Sequence, residues 1–248
     1  MKLVDLSHRG QLGGIRARNR DVFNGEVVRN VFESLDRNFL LEVLSQDCRA
    51  WQYVSDKRAD FEFIRRIRED HPAVLQSANK SFVLAAVGQI GDVLEHASDG
   101  LKGDREIVLA AVAQDGRAFQ YASEELRGDR EIVLAAVAQD GRAFQYASDE
   151  LRGDREIVLA AVQEDGYALA AAAAELKGDR EIVLAAVQQD GYALQYAADE
   201  LTADREFVLA AVQQNGYALA AAAAELKGDR EIVLAAVAQD GFAFPYAS

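Results

Sequence analysis

The chain has 248 residues, of which half are hydrophobic and two are proline, and it carries 27 Lys and Arg against 41 Asp and Glu. This composition excludes an intrinsically disordered chain and is typical of a folded, all-helical protein. No run of 18 apolar residues and no hydrophobic signal-peptide centre is present, so we expect a cytoplasmic protein with no membrane partner. Cys48 is the only cysteine, which excludes an intrachain disulfide and a thiolate metal cluster within one chain.

The negative charge is concentrated in the later part of the chain. Residues 1 to 80 carry 14 Lys and Arg against 12 Asp and Glu, whereas residues 81 to 248 carry 13 against 29. Such a surface repels nucleic-acid phosphates and anionic membranes over a Debye length of about 8 Å and attracts basic partners. We therefore expect a basic protein partner and do not expect nucleic acid binding.

The N-terminal third of the chain leads into the regular part. We interpret residues 1–35 as an N-terminal lead and capping helix, in which Arg9, Arg16, Arg18 and Arg20 form either a solvated segment or an anion-binding patch. Residues 36–80 are predicted to be divergent repeats that cap the array, since the stretch NFLLEVLSQDCRAWQYVSD resembles the repeat described next.

Residues 81–248 contain a regular helical-repeat array with a truncated last copy. A typical copy reads LRGDREIVLAAVAQDGRAFQYASDE. Each copy opens with a leucine, and these leucines recur at a constant spacing: Leu101, Leu126, Leu151, Leu176, Leu201 and Leu226. A repeat this short cannot bury its own apolar face, so each copy must be one layer of a stack.

Each copy is predicted to be a pair of helices. Asp104 occupies a helix N-cap position, and the apolar run Ile107–Val112 indicates a helix buried on most of its circumference. Asp115 and Gly116 end this helix, because glycine can adopt the left-handed closing conformation and aspartate can cap a second helix. That second helix, of about ten residues, begins near Arg117. The fold class that follows is an all-α solenoid, or superhelix, of stacked 25-residue two-helix repeats.

One pair of charged residues recurs at positions that the helix dipole disfavours. A glutamate lies near the C-terminal end of the second helix, and an arginine lies near the N-terminal end of the next first helix. We predict that they form a structural ladder of ion pairs: Glu125 with Arg130, Glu150 with Arg155, Glu175 with Arg180, Glu200 with Arg205, and Glu225 with Arg230.

The copies differ most at two positions of the second helix. The first position reads Arg117, Arg142, Tyr167, Tyr192, Tyr217 and Phe242, and the position four residues later reads Tyr121, Tyr146, Ala171, Tyr196, Ala221 and Tyr246. On an α-helix these positions share a face, so the exchange of rings is either volume compensation in the groove between layers or a row of anchors for a peptide or helix. Phe244 in the truncated last copy belongs to the same candidate partner surface, because an apolar layer face is expected to be exposed there.

The string LKGDREIVLAAVQQDGYALQYAADEL, from Leu176 to Leu201, resembles an uncharacterised α-helical repeat family known only as a domain of unknown function. The resemblance covers about residues 81–248 and extends more weakly back to Asn38. It implies a helical array of interaction type whose unit is about two repeats long, which agrees with the close match of residues 151–200 to 201–248. It implies no catalytic or cofactor-binding residues.

These patterns favour a non-enzymatic protein. The same carboxylates recur evenly instead of unlike groups converging at one place, and His8, His71 and His96 lack the spacing of metal ligands, so we assign no catalytic, cofactor or metal residues. The leading interpretation is a protein–protein interaction scaffold with an extended acidic surface that prefers basic partners. The alternatives are a self-assembling or homodimerising protein that associates through its C-terminal repeat face, and an acidic mimic of nucleic acid.

Overall fold

A computed structural model describes residues 35–46, 51, 54 and 60–248, and the regular structure of these residues is all helical. The predicted lead over residues 1–35, with its four arginines, lies outside the described residues except for Leu35, and so does Cys48. The described elements before the array are the α-helices Arg37–Gln46 and Phe61–Asp70 and the 3₁₀ helix Pro72–Ser77.

Seven layers follow over residues 80–248, and each begins with a long α-helix. The long helices of layers 1 to 7 are Lys80–Val87, Arg105–Gln114, Arg130–Gln139, Arg155–Glu164, Arg180–Gln189, Arg205–Gln214 and Arg230–Gln239. A six-residue 3₁₀ segment comes next: Gly91–His96, Gly116–Tyr121, Gly141–Tyr146, Gly166–Ala171, Gly191–Tyr196, Gly216–Ala221 and Gly241–Tyr246. Layers 1 to 6 end in a short turn of helix: Asp99–Lys102, Glu124–Arg127, Asp149–Arg152, Leu176–Gly178, Asp199–Thr202 and Ala224–Lys227.

The long helices form as the sequence predicts. Asp104 is the N-cap of the layer 2 helix, and its carboxylate accepts hydrogen bonds from the backbone N–H groups of Glu106 and Ile107 at 3.1 and 3.4 Å. An aspartate N-cap with an acidic first turn satisfies free backbone donors and complements the helix dipole. Four apolar side chains of this helix are buried, among them Ile107 and Val112, so burial of this face holds the layer in place.

The predicted second helix is not one continuous helix. In layer 2 it is split into the 3₁₀ segment Gly116–Tyr121 and the short turn Glu124–Arg127. Ala122 and Ser123 between them are extended, with ψ angles of 152° and 157°. This break frees the backbone N–H of Ser123 to donate to the carbonyl of Lys102 in the preceding layer at 3.0 Å. An uninterrupted α-helix would direct that N–H to the carbonyl of the preceding turn of the same helix.

The glycine after each long helix has a different role from the one predicted. No glycine of the described chain has a positive φ angle, so Gly116 does not close the helix in a left-handed conformation. A Cβ atom on Gly116 would lie 2.7 Å from the carbonyl oxygen of Ala136 and 2.9 Å from Cβ of Gln139, both in the next layer. Glycine is therefore required because the next long helix packs directly against the backbone here.

Neighbouring layers are joined by the same contacts at every junction. Each long helix packs on the next long helix, and each 3₁₀ segment packs on the next 3₁₀ segment. One backbone hydrogen bond of 2.9 to 3.0 Å also crosses each junction, from the N–H two residues after one 3₁₀ segment to a carbonyl in the short turn of the preceding layer. The donors are Ser123, Ser148, Ala173, Ala198, Ala223 and Ser248. The predicted all-α solenoid of stacked repeats is therefore confirmed.

The described part of the predicted N-terminal cap packs on layer 1. Trp51 is buried, with its ring centroid 4.6 Å from that of Phe82 in the first long helix. Its indole N–H donates to the carbonyl of Val74 at 3.1 Å. Among the described helices, none has both the length and the apolar character needed to cross a membrane.

Candidate interaction surface

A row of cations and carboxylates links the N-terminal ends of successive long helices. The cations of this arginine ladder are Lys80, Arg105, Arg130, Arg155, Arg180 and Arg205. Each pairs with the N-cap aspartate of the next layer, as Arg205 does with Asp229 at 2.9 Å. All except Arg180 also pair with the glutamate in the first turn of that next helix, as Arg205 does with Glu231 at 2.6 Å.

The ion-pair partners predicted from the sequence are wrong. No pair from Glu125–Arg130 to Glu225–Arg230 forms an ion pair, although all ten residues belong to the described chain. The long helices stack with their N-terminal ends side by side, which places each arginine against the N-cap aspartate of the next layer. Aspartate and glutamate favour a helix N-terminus, so the arginine neutralises carboxylates that are already fixed there.

The glutamates of the short turns are left facing solvent. Glu125, Glu150, Glu175, Glu200 and Glu225 are exposed, and none forms an ion pair with a cation of the described residues. They recur at equivalent positions, once in each layer from 2 to 6. The array therefore presents a periodic row of unpaired negative charge, which we call the glutamate row.

The arginine ladder also changes the acidity of its aspartates. The hydrogen bond from Lys80 lowers the pKa of the Asp104 carboxyl below its ordinary value, with backbone N–H donors adding to the effect against the opposing effect of burial. The hydrogen bond from Arg205 is likewise the largest cause of the lowered pKa of Asp229. Both carboxylates therefore stay charged to lower pH than an isolated aspartate does.

The predicted partner surface lies on the 3₁₀ segments, and its first position differs between the early and late layers. Arg117 and Arg142 are exposed and pair with aspartates that cap these segments. Arg117 lies 3.2 Å from Asp115 in its own layer and 3.9 Å from Asp140 in the next. Arg142 contacts Asp165 of the next layer at 3.0 Å. These arginines are thus partly neutralised within the chain.

Tyrosines occupy the first position in layers 4 to 6 and contact rings of following layers. The Tyr167 and Tyr196 ring centroids are 5.8 Å apart, and those of Tyr192 and Tyr217 are 5.3 Å apart. Tyr246 lies 6.1 Å from Tyr192 and 6.3 Å from Tyr217, and its hydroxyl is 2.5 Å from that of Tyr192. We call these five residues the tyrosine row. Three of its contacts join the first position of one layer to the fifth position of a later one, and the contact of Tyr192 with Tyr217 joins two first positions.

The sequence predicted that the two variable positions share one helix face. In the structure the rings instead compensate for one another between layers. A 3₁₀ helix has about three residues per turn, so positions four apart do not lie above one another. Tyr192 is followed in the next layer by Ala221, and it reaches across to Tyr246 two layers on. Tyr121 and Tyr146 are half-buried in the corresponding fifth positions of layers 2 and 3.

The outer face of layer 7 exposes apolar side chains that are covered in the other layers. Phe244 is 65% exposed and Phe242 is 78% exposed, whereas Phe119, the equivalent of Phe244 in layer 2, is 0% exposed. Leu234 of the same layer is 58% exposed. In layers 1 to 6 the positions equivalent to Phe244 are buried and those equivalent to Leu234 are half-buried, whereas the position of Phe242 is also exposed in layers 2 to 4.

The histidines of the described residues do not converge with other reactive groups. His96 is half-buried at the end of its 3₁₀ segment, with Nε2 3.9 Å from a Glu95 carboxylate oxygen. No group of three or more His, Cys, Asp and Glu side chains is placed to hold a metal ion within the part of the chain that the structure covers. The repeated features of this chain are thus the glutamate row, the tyrosine row and the arginine ladder.

A family profile, the domain of unknown function DUF4116, matches residues 79–127, 129–177, 179–227 and 204–248. The chain belongs to the DUF4116 family. Each of the first three DUF4116 matches spans two layers, so the predicted unit of two repeats is confirmed. No curated protein and no solved structure matches this chain.

Proposed function

We propose that this DUF4116 chain is a non-enzymatic scaffold that binds a basic segment of a partner protein along its acidic array. The proposal rests on which charged side chains of each layer are paired within the chain and which are not. The cations that begin the long helices of layers 1 to 6 pair with carboxylates in the arginine ladder, whereas the glutamate row is exposed and unpaired among the described residues.

The spacing of the glutamate row suits an extended partner. A solenoid presents the same side chain at regular intervals along its surface, so a partner with several basic residues can contact several layers at once. Charge complementarity of this kind raises the rate of association and is weakened by salt. We propose no catalytic or cofactor role, because catalysis needs unlike groups that converge on one substrate. Cytoplasmic localisation stays a prediction from the sequence.

The test is the affinity of the full chain for a synthetic peptide of alternating lysine and serine, measured by calorimetry at low and at high salt. Neutralising the row with Glu125→Gln, Glu150→Gln, Glu175→Gln and Glu200→Gln should weaken binding by roughly tenfold at low salt, because surface charge pairs are worth about 0.2 to 1 kcal/mol each. The difference should shrink at high salt.

The matched control replaces the same four glutamates by aspartate, which keeps the charge. This variant should bind nearly as the unmodified chain does. A peptide that fails to bind, or one that binds the glutamine variant as tightly as the unmodified chain, would overturn the proposal.

Self-association is a second candidate, favoured by the exposed apolar face of layer 7. Phe244 and Leu234 are exposed at positions that are buried or half-buried in the other layers, and exposed apolar surface of this kind marks interaction sites. Sedimentation of the full chain should then show a mass that increases with concentration, and Phe244→Glu should abolish the increase. A mass of one chain at every concentration would exclude this candidate.

A further inference from the structure

The tyrosine row lies beside carboxylates that form no ion pair with a cation of the described residues, and this arrangement suits one type of basic side chain. We propose that the tyrosine row of layers 4 to 7 binds arginine side chains of the partner segment. This inference rests on the proposed scaffold function and adds the identity of the basic residue and the place where it binds.

The first argument is that the chain already places guanidinium groups at this position. In layers 2 and 3 the residue after the first glycine of the 3₁₀ segment is arginine, and its side chain contacts the aspartates that cap these segments. Arg142 reaches Asp165 of the following layer at 3.0 Å, and Arg117 lies between Asp115 and Asp140. The surface therefore accommodates a guanidinium group beside a capping aspartate.

The second argument is that layers 4 to 6 lack this cation but keep aspartates in the row. Tyr167, Tyr192 and Tyr217 replace the arginine, while Asp190 and Asp240 remain as caps of the 3₁₀ segments of layers 5 and 7. Neither aspartate forms an ion pair within the described residues, in contrast to Asp165. A cation from a partner would complete the pairing that Arg117 and Arg142 supply in the early layers.

The third argument is the chemistry of the rings. Burial, followed by the negative charge of Asp190, raises the pKa of Tyr167, and burial followed by Asp240 raises the pKa of Tyr217. These tyrosines are therefore neutral and lie in a negative field. A guanidinium group stacks its plane on an aromatic face and donates paired hydrogen bonds to a carboxylate, which an ammonium group cannot do in the same geometry.

The rings are also held in place before a partner binds. The hydroxyl groups of Tyr192 and Tyr246 are hydrogen-bonded at 2.5 Å, and Tyr217 packs against both rings. Part of the row is accessible to a partner, since Tyr167 is 39% exposed. A surface ordered in this way loses little side-chain freedom on binding.

The experiment compares two peptides of equal length and charge on the full chain, one alternating arginine with serine and the other alternating lysine with serine. The glutamate row should bind the two peptides with similar affinity because their charges are equal, whereas the tyrosine row should bind the arginine peptide more tightly. We expect the arginine peptide to bind about threefold to tenfold more tightly, as stacking on an aromatic ring provides. Equal affinities would overturn the inference while leaving the scaffold proposal intact, and binding of neither peptide would overturn both.

Two double variants test whether the tyrosine row causes the preference for the arginine peptide. The double variant Tyr167→Arg with Tyr217→Arg gives layers 4 and 6 the arginine that layers 2 and 3 already carry in a folded context, so its fold should be retained. It should bind the two peptides with equal affinity, because the chain's own guanidinium groups then occupy the site. The variant Tyr167→Leu with Tyr217→Leu, which leaves the charge unchanged, should also lose the preference.

The matched control is Tyr121→Leu, which removes a half-buried tyrosine of layer 2 outside the tyrosine row. It should keep the arginine preference. Circular dichroism of each variant establishes that the layers remain folded. An arginine preference that survives in the double arginine variant would overturn the inference.

Discussion

At the scale of single residues, the glycines that begin the 3₁₀ segments show how tightly the layers approach one another. A Cβ atom on Gly166 would lie 2.5 Å from the carbonyl oxygen of Ala186 in the next layer. The same position in layer 7 is Gly241, which has no atom within 4 Å of such a Cβ. Gly166 is packed against a following layer and Gly241 is not, so the two glycines show separately what packing between layers requires.

We expect Gly166→Ala to lower the free energy of unfolding by about 1 to 3 kcal/mol, because the added methyl group displaces backbone of the next layer. Gly241→Ala should change it by no more than about 0.5 kcal/mol. Urea unfolding followed by circular dichroism measures both values. Equal effects of the two substitutions would show that the glycine is needed for its own backbone and not for packing between layers.

At the scale of elements, the arginine ladder fixes the N-terminal end of each long helix to the next. Asp104 accepts hydrogen bonds from backbone N–H groups of its own helix and forms an ion pair with Lys80 of layer 1 at 2.8 Å. The aspartate is therefore both a helix cap and a link between layers. Because its pKa is lower in the folded chain than in the unfolded chain, its contribution to stability depends on pH.

The stabilisation from the charged form of Asp104 should be complete above the ordinary aspartate pKa of about 3.9 and lost as the pH falls through the lowered value. Asp104→Asn keeps an N-cap acceptor but removes the charge. This variant should unfold at lower urea concentration than the unmodified chain at pH 7, and the difference should shrink as the pH falls through the lowered pKa of Asp104. Glu125→Gln, which removes an exposed charge that forms no ion pair within the described residues, is the control and should leave the urea midpoint at pH 7 nearly unchanged. A difference for Asp104→Asn that persists at low pH would contradict this account.

The elements also show what local sequence can predict. The aspartate N-cap and the apolar run Ile107–Val112 identify each long helix, because capping and burial act within one element. The 3₁₀ segments were missed because alanine-rich stretches such as ALAAAAAEL favour an α-helix on their own. The helix breaks at Ala122 and Ser123, and this break lets Ser123 donate a hydrogen bond to the preceding layer. A local sequence pattern does not reveal a bond partner in another layer. The partners of Arg130 and of Tyr192 were missed for the same reason, since Asp154 and Tyr246 lie in later layers.

At the scale of the whole molecule, the layers are interchangeable because every junction uses the same contacts. Residues 155–179 form one complete period, and their removal joins Asp154 to Arg180 within an intact GDREIV sequence. In the shortened chain, layer 3 with Arg142 is followed directly by the layer that carries Tyr196. The same neighbours already occur in the unmodified chain, where layer 2 with Arg117 is followed by layer 3 with Tyr146.

A chain without residues 155–179 should therefore fold with unchanged helicity per residue and a lower free energy of unfolding, by roughly the share of one layer, as nearest-neighbour arrays do. Circular dichroism and urea unfolding measure both quantities. Removal of residues 155–167, half a period, is the control and should abolish cooperative unfolding. If the two deletions behave alike, the layers are not equivalent units.

The backbone hydrogen bond that crosses each junction has a consequence for how the molecule is made. It joins groups that are less than one repeat apart in the sequence, as from Ser148 to Arg127, and the arginine ladder joins groups 24 to 26 residues apart. Proteins whose contacts are close in sequence fold rapidly, since little loop entropy is lost before each contact forms. Each layer can therefore fold against the preceding layer while the ribosome is still synthesising the next one. The folding time per layer should then be the same in a longer array.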